Sequence, residues 1–252
     1  MAEGWRPAPA ALAPLADGEV HVWRGTLQPD ADVLRRLRAT LSPDEHARAA
    51  RFRMDVHRDR YVAGRGILRV LVGAYTSTPP SAVAFGHTPH GKPYLAGHEA
   101  HATGLRFNMT NAEDLGLFAF ALGRDLGVDL ENLKPMPDAL SIATRFFSAP
   151  ENQVFATVGE GEREQAFFTC WTRKEAYVKA VGEGLSMPLD RFDVTFLPGE
   201  PARLLATRPD PAEAARWTLH HVDPGPGWIG ALMVEGPECT PTHWHWSGEY
   251  LP

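Results

Sequence analysis

Three acidic side chains and two lysines are spaced for chemistry. Asp129 and Glu131 alternate within LGVDLENL, a segment that reads as a short strand, so both carboxylates point to the same face. Glu175 and Lys179 lie four residues apart in FFTCWTRKEAYVKAVGEGLSMPL (residues 167–189), where helical side chains one turn apart meet. Lys174 falls inside that helix's apolar stripe, which is formed by Phe167, Cys170, Trp171, Tyr177, Val178 and Val181. By spacing alone, Glu175 and Lys179 would be an ordinary surface pair. Three carboxylates accompanied by lysines instead suit a hard divalent cation and a phosphate-bearing ligand.

The surrounding elements must hold these groups in place. Gly182 and Gly184 stop the central helix, with Pro188 shortly beyond. Upstream, the pattern predicts a strand over residues 19–27 and a helix over 30–41. Ser42 then acts as an N-cap, with Pro43 at the first helical position and Glu45 three residues on. A second helix follows over 59–74. Strands at 105–109 and 115–122 are joined by a polar turn at 111–114. Asp138 is expected to cap a helix running to Phe147, and residues 148–151 reopen with helix-starting chemistry. Residues 155–165 (FATVGEGEREQ) read as an acidic loop. Residues 189–197 and 216–234 read as strands, the latter with a turn at 224–227. His243 and His245 share one strand face, a spacing open to metal binding, within a tail that reads as a solvated terminal strand.

Composition excludes several classes. A net charge of −6 argues against bulk nucleic-acid binding, although arginines crowd residues 35–69. Most of those arginines read as a solvated helical face. No run approaches the roughly 20 apolar residues of a membrane span, and Pro7, Pro9 and Pro14 interrupt the N-terminus. The two cysteines, Cys170 and Cys239, form no disulfide framework or zinc spacing. These features predict a soluble cytoplasmic protein that binds neither membrane nor nucleic acid.

The halves also rhyme. SPDEHARAAR matches SAPENQVFAT as a capped helix start. YVAGRGILRVLVGA aligns with WTRKEAYVKAVGEG when Gly73 is set against Gly182. The hairpin 105–122 has the length of 217–234. This order predicts a duplicated α+β chain whose subdomains, 1–126 and 127–252, are similar, an arrangement that permits a monomer.

GVDLE, RFFSAPE and WTRKEAYVKAVGEGLSMPL together closely resemble the Sfp-type 4′-phosphopantetheinyl transferases, with HGKPYL and RFNMTN standing where that family has its GKP and Phe-Asn-Ser-His elements. The resemblance covers most of residues 91–189. It implies an α+β fold of two pseudo-symmetric subdomains with the active site in the cleft between them. It also implies transfer of 4′-phosphopantetheine from coenzyme A to a carrier-protein serine, with release of 3′,5′-ADP. By motif position, Asp129, Glu131 and Glu175 would hold Mg²⁺, with Mn²⁺ as an alternative, and Lys179 would hold the pyrophosphate. Lys174 would lie near the same site, and Glu151 is the position of a general base. Arg60, Lys92, Pro93, Thr110 and Asn111 would border coenzyme A, Arg60 at its 3′-phosphate. Thr110-Asn111 replaces the family's Ser-His and loses the imidazolium. The partner implied is an acyl or peptidyl carrier domain of fatty-acid, polyketide or nonribosomal-peptide synthesis. The rival reading is a non-catalytic relative that binds coenzyme A or the carrier.

Overall fold

Alternating and helical patterns resolve into two α+β units in the computed structural model, which describes residues 4–97 and 102–252. The first unit comprises residues 4–87, 93–123 and 240–252. Its elements are β1 (Arg6–Pro7), β2 (Val20–Thr26), α1 (Ala31–Ala39), α2 (Pro43–Ala49), α3 (Asp55–Thr76), β3 (Phe85–His87), β4 (Pro93–Leu95), β5 (Leu105–Ala112) and β6 (Leu115–Leu122). The second unit comprises residues 88–92 and 124–239. It contains β7 (Leu126–Asn132), α4 (Ala139–Phe146), α5 (Ala149–Phe155), α6 (Glu160–Val181), β8 (Phe192–Val194), β9 (Leu204–Thr207), β10 (Trp217–Val222) and β11 (Trp228–Glu235). The last strand, β12 (Thr242–Trp246), returns to the first unit.

In the first unit the sheet order is β1-β12-β2-β6-β5, and α3 covers it through Ile67, Leu68, Val70 and Leu71. The tail strand β12 lies parallel between β1 and β2, so it is an interior strand and not the solvated terminal strand expected. His243 and His245 are half-buried there, opposite Val22 and Arg24, with His243 packed edge-on against Trp5. Burial, then the charge of Arg24, pushes the His245 imidazole down. Among the described residues no metal-binding group forms around them.

The second unit's sheet runs β10-β11-β7, entirely antiparallel, and α6 packs across it. Its core is aromatic: Phe147, Phe155, Phe167, Phe168 and Phe196 are all buried. Residues 160–165, expected as loop, form the first turns of α6. Gly159 takes the N-cap position, and Glu160 and Glu162 sit in the first turn, where acids favour a helix start. Asp138 occupies the N-cap of α4, but its side chain makes no cap hydrogen bond. Gly182 closes α6 in the left-handed conformation at φ 83°, donating to Val178 O at 2.9 Å, as its residue type anticipated. Buried residues surround α6 on most sides, including Thr172, Arg173 and Lys174. It is a central helix and not a surface one.

Candidate active site

The acidic strand and the central helix meet at a glycine. The face of β7 that carries Gly127, Asp129 and Glu131 is the face on which α6 lies, because alternate residues share a side. A Cβ at Gly127 would stand 2.2 Å from Ala176 O and 2.3 Å from Ala180 N, inside the helix backbone. The absent side chain lets α6 settle directly on β7. That contact sets Lys179 Nζ 2.5 Å from Asp129 Oδ1. Glu175, one turn earlier on α6, is half-buried near the same carboxylates.

Crowding of like charges is visible in the acidities. Burial pushes the Glu131 carboxyl up, and Asp129 pushes it further, against the pull of Lys134 and Lys179. Burial likewise raises Glu175, with Asp129 adding to it and Lys179 opposing. Three oxygen-donor groups that repel one another in a partly buried place fit a hard divalent cation, which would relieve that repulsion. Lys179 already supplies part of the positive charge. Among the described residues no three acidic, His or Cys side chains are drawn together at ligating separation.

Two of the expected site residues are used elsewhere. Glu151 is 2% exposed, and all of its acceptor capacity is taken. Its Oε1 accepts from Val194 N (2.9 Å) and Lys174 Nζ (2.8 Å), and its Oε2 accepts from Ser148 N (2.9 Å) and pairs with Lys174 (2.7 Å). Lys174 is 0% exposed and also donates to Phe192 O at 2.6 Å. A carboxylate with four charge-supporting bonds has no lone pair for an incoming proton, and a fully buried ammonium cannot reach a ligand. The roles expected for them, general base and ligand contact, are therefore corrected to a buried ion pair. It ties α5 and α6 to β8.

The remaining expected residues fall into two groups. In the first unit, Arg60 Nη1 reaches Glu113 Oε2 at 3.3 Å, beside the β5–β6 turn, and its Nε is buried with no hydrogen-bond partner. Thr110 and Asn111 are on β5, two to three residues before Glu113. Thr110 is buried and Asn111 exposed, as neighbours on a strand face opposite ways, so the two do not present side chains to one ligand. Pro93 opens β4 opposite His87. In the second unit, Lys92 Nζ donates to Ala180 O (2.8 Å) and Leu126 O (3.2 Å). No local pattern signals that contact, because it joins residues 34 and 88 positions apart. Gly127 was also legible only as part of a motif.

Comparison with known proteins gives the class. A model of the 4′-phosphopantetheinyl transferase superfamily matches residues 125–232, and a model of the N-terminal region of 4′-phosphopantetheinyl transferases matches residues 25–121. The chain is 39% identical to the 4′-phosphopantetheinyl transferase HetI of Nostoc sp., over 96% of its own length and 98% of that protein. A putative 4′-phosphopantetheinyl transferase of Synechocystis sp. is 30% identical over 75% of each chain. The 4′-phosphopantetheinyl transferase Sfp of Bacillus subtilis is 28% identical over 75% of this chain and 81% of that one. The chain belongs to the 4′-phosphopantetheinyl transferase family, enzymes that move 4′-phosphopantetheine from coenzyme A onto a carrier protein.

Proposed function

We propose that this 4′-phosphopantetheinyl transferase works through Asp129, Glu131, Glu175 and Lys179. The observation that carries the reading is the seating of α6 on Gly127, which brings Lys179 to Asp129 and sets Glu175 beside them. Asp129, Glu131 and Glu175 would hold Mg²⁺, and Mn²⁺ satisfies the same oxygen donors. When bound, the ion neutralises charge on the phosphate oxygens of coenzyme A. The serine hydroxyl of the carrier forms a new bond to the β-phosphorus as the bond to the nucleotide oxygen breaks, and 3′,5′-ADP departs. Lys179 is placed to donate hydrogen bonds to the pyrophosphate and to the oxygen that leaves. Glu151 has no acceptor left, and Glu175, on the same helix as Lys179, takes the seryl proton directly or through one water.

Arg60 serves the 3′-phosphate through its guanidinium, and Asn111, exposed on β5, serves the nucleotide by hydrogen bonding alone. The carrier is an acyl or peptidyl carrier domain. Two free thiols suit a reducing cytoplasm. Among the described residues no helix is long and apolar enough to cross a membrane.

The test is intact-mass analysis of apo carrier proteins from fatty-acid, polyketide and nonribosomal-peptide systems, incubated with enzyme, coenzyme A and Mg²⁺. A gain of one phosphopantetheine (~340 Da), abolished by EDTA, is expected. Asp129→Asn and Glu175→Gln should each lose several kcal/mol of charge stabilisation, about 100-fold or more in rate, with unchanged melting. Full activity in both variants would reject the acidic site. Coenzyme A binding without any mass gain would favour a non-catalytic relative, the reading that the Thr110-Asn111 exchange supports.

A further inference from the structure

The end of α6 is fastened from outside its own sequence neighbourhood. The last four carbonyls of a helix have no partners within it. Gly182 N satisfies Val178 O, whereas Ala180 O accepts from the ammonium of Lys92 at 2.8 Å. The same Nζ lies 3.2 Å from Leu126 O, at the first residue of β7. One cation thus bridges the end of the helix bearing Glu175 and Lys179 to the start of the strand bearing Asp129 and Glu131. Its positive charge is also favourable at a helix C-terminus.

Lys92 is itself held in a tight turn. Gly91 N donates to Thr88 O (2.8 Å), Thr88 N to Lys92 O (2.9 Å), and Lys92 N to Thr88 Oγ1 (3.1 Å). Gly91 adopts φ 86°, which favours glycine. A Cβ on Gly182 would come 3.1 Å from Lys92 Cδ, so that glycine leaves room for the lysine stem as well as ending the helix. These contacts explain why residues 88–92 group with residues 124–239 and not with their neighbours in sequence.

We propose that Lys92 is a positioning residue that sets the seating of α6 on β7 and through it the acidic cluster, and that it is not a phosphate ligand. The proposal rests on the reading of Asp129, Glu131, Glu175 and Lys179 as the working site. Lys92→Met keeps the stem and removes the donor. It should lower kcat by about tenfold to 100-fold while KM for coenzyme A stays within about twofold, since the loss is one of alignment. Hydrogen exchange at the amides of residues 180–184 should accelerate in the same variant, and Lys92→Arg, which can reach both carbonyls, should recover most of kcat.

A tenfold rise in KM with kcat preserved would overturn the proposal in favour of direct contact with coenzyme A. Unchanged exchange at the end of α6 would overturn it too. Should Lys92→Met fail to fold, Lys92→Gln carries the same two readouts. Asp129→Asn assayed alongside separates the two failures. If that variant keeps full transfer, the site reading fails, while the exchange measurement still judges the clamp by itself.

Discussion

The two halves carry the same fastening with different chemistry around it. In the first unit the capping box Ser42–Glu45 opens the seven-residue α2, and Glu45 is gripped by Arg65 (2.6 Å) and Arg69 (2.5 Å) of the 22-residue α3. In the second, the capping box Ser148–Glu151 opens the seven-residue α5, and Glu151 is gripped by Lys174 of the 22-residue α6. Each cation then bonds carbonyls of the segment after its helix, Pro80 and Val83 for Arg69 and Phe192 for Lys174. Each also lies over a phenylalanine, Phe85 or Phe192. Strand register extends the match: β2 pairs β6 as β7 pairs β11, which sets Trp23 against Asp129 and Gly25 against Glu131. The first half has the buried glutamate–cation tie, but β2, the counterpart of β7, carries no acidic residue. A feature present in both halves belongs to the frame, and the carboxylates found only in the second belong to the chemistry.

The sharpest way to break this comparison is Glu151→Gln. If Glu151 is part of the frame, the change leaves a buried ammonium without its counter-charge and costs about 3–5 kcal/mol of stability. Glu45→Gln should cost less, about 1.5–3 kcal/mol, because Arg69 keeps its two carbonyl partners. Denaturant titration of both variants checks the order. Lost transfer with unchanged stability in Glu151→Gln would make it a base after all, and the halves would differ where they look alike.

Gly127→Ala sharpens the opposite side, where the halves diverge. The register-equivalent residue of β2 is His21, whose ring bonds Tyr75 Oη at 2.6 Å, so that helix and strand meet through side chains. At Gly127 they meet backbone to backbone. A methyl there must displace α6, at about 1–3 kcal/mol of overpacking. A shift of about 1 Å would lower transfer about 100-fold. The measurement is kcat beside a melting curve. Activity kept in a stable variant would show that the close approach does not set the site.

The duplicated frame was legible because it rests on local signals. Ser42-Pro43 and Ser148-Ala149-Pro150 announce helix starts, Gly182 announces a stop, alternation marks β2, and segments flanking a polar or Pro-Gly turn mark the hairpins β5–β6 and β10–β11. Asp129 and Glu131 could be set on one face by strand geometry alone, whereas the spacing that set Lys179 beside Glu175 did not show its bond to Asp129. Long-range partners were not legible. The resemblance makes Glu151 a general base and its place in the first turn of a helix makes it a favourable start charge, and neither shows that Lys174, 23 residues on, neutralises it. The interior place of β12 depends on pairing with a strand about 220 residues earlier in the chain, which no local pattern encodes. Residues 160–165 misled by their acids and glycines. Those acids favour the start of α6, whose stability comes from burial further along.

Acid should weaken the first half's tie in a predictable direction. Burial pushes the Glu45 carboxyl up, but the Arg69 and Ser42 hydrogen bonds and the charges of Arg65 and Arg69 outweigh it, so its pKa lies below the ordinary 4.5. A folded value lower than the unfolded one contributes stability that is complete above the unfolded value and is lost as pH falls through the folded one. The stability gap between the parent and Glu45→Gln should thus hold steady from about pH 6 to 8 and narrow below about pH 4.5. A gap that widens in acid would reverse the assignment of Glu45 as an ionised partner.

The smallest effects test the caps. Ser42→Ala and Ser148→Ala each remove the side-chain acceptor of a capping box, worth about 1 kcal/mol with a range of roughly 0.5–2. The two should not cost the same. Ser42 is half-buried, so water can take over the freed Glu45 N–H, whereas Ser148 is 1% exposed and its loss strands the Glu151 N–H in the interior. Urea unfolding should place Ser148→Ala toward the upper end of that range and Ser42→Ala toward the lower. The reverse order would mean that the second half's fastening relies less on its cap than on the Lys174 bond, and the likeness between the halves would then stop at the ion pair.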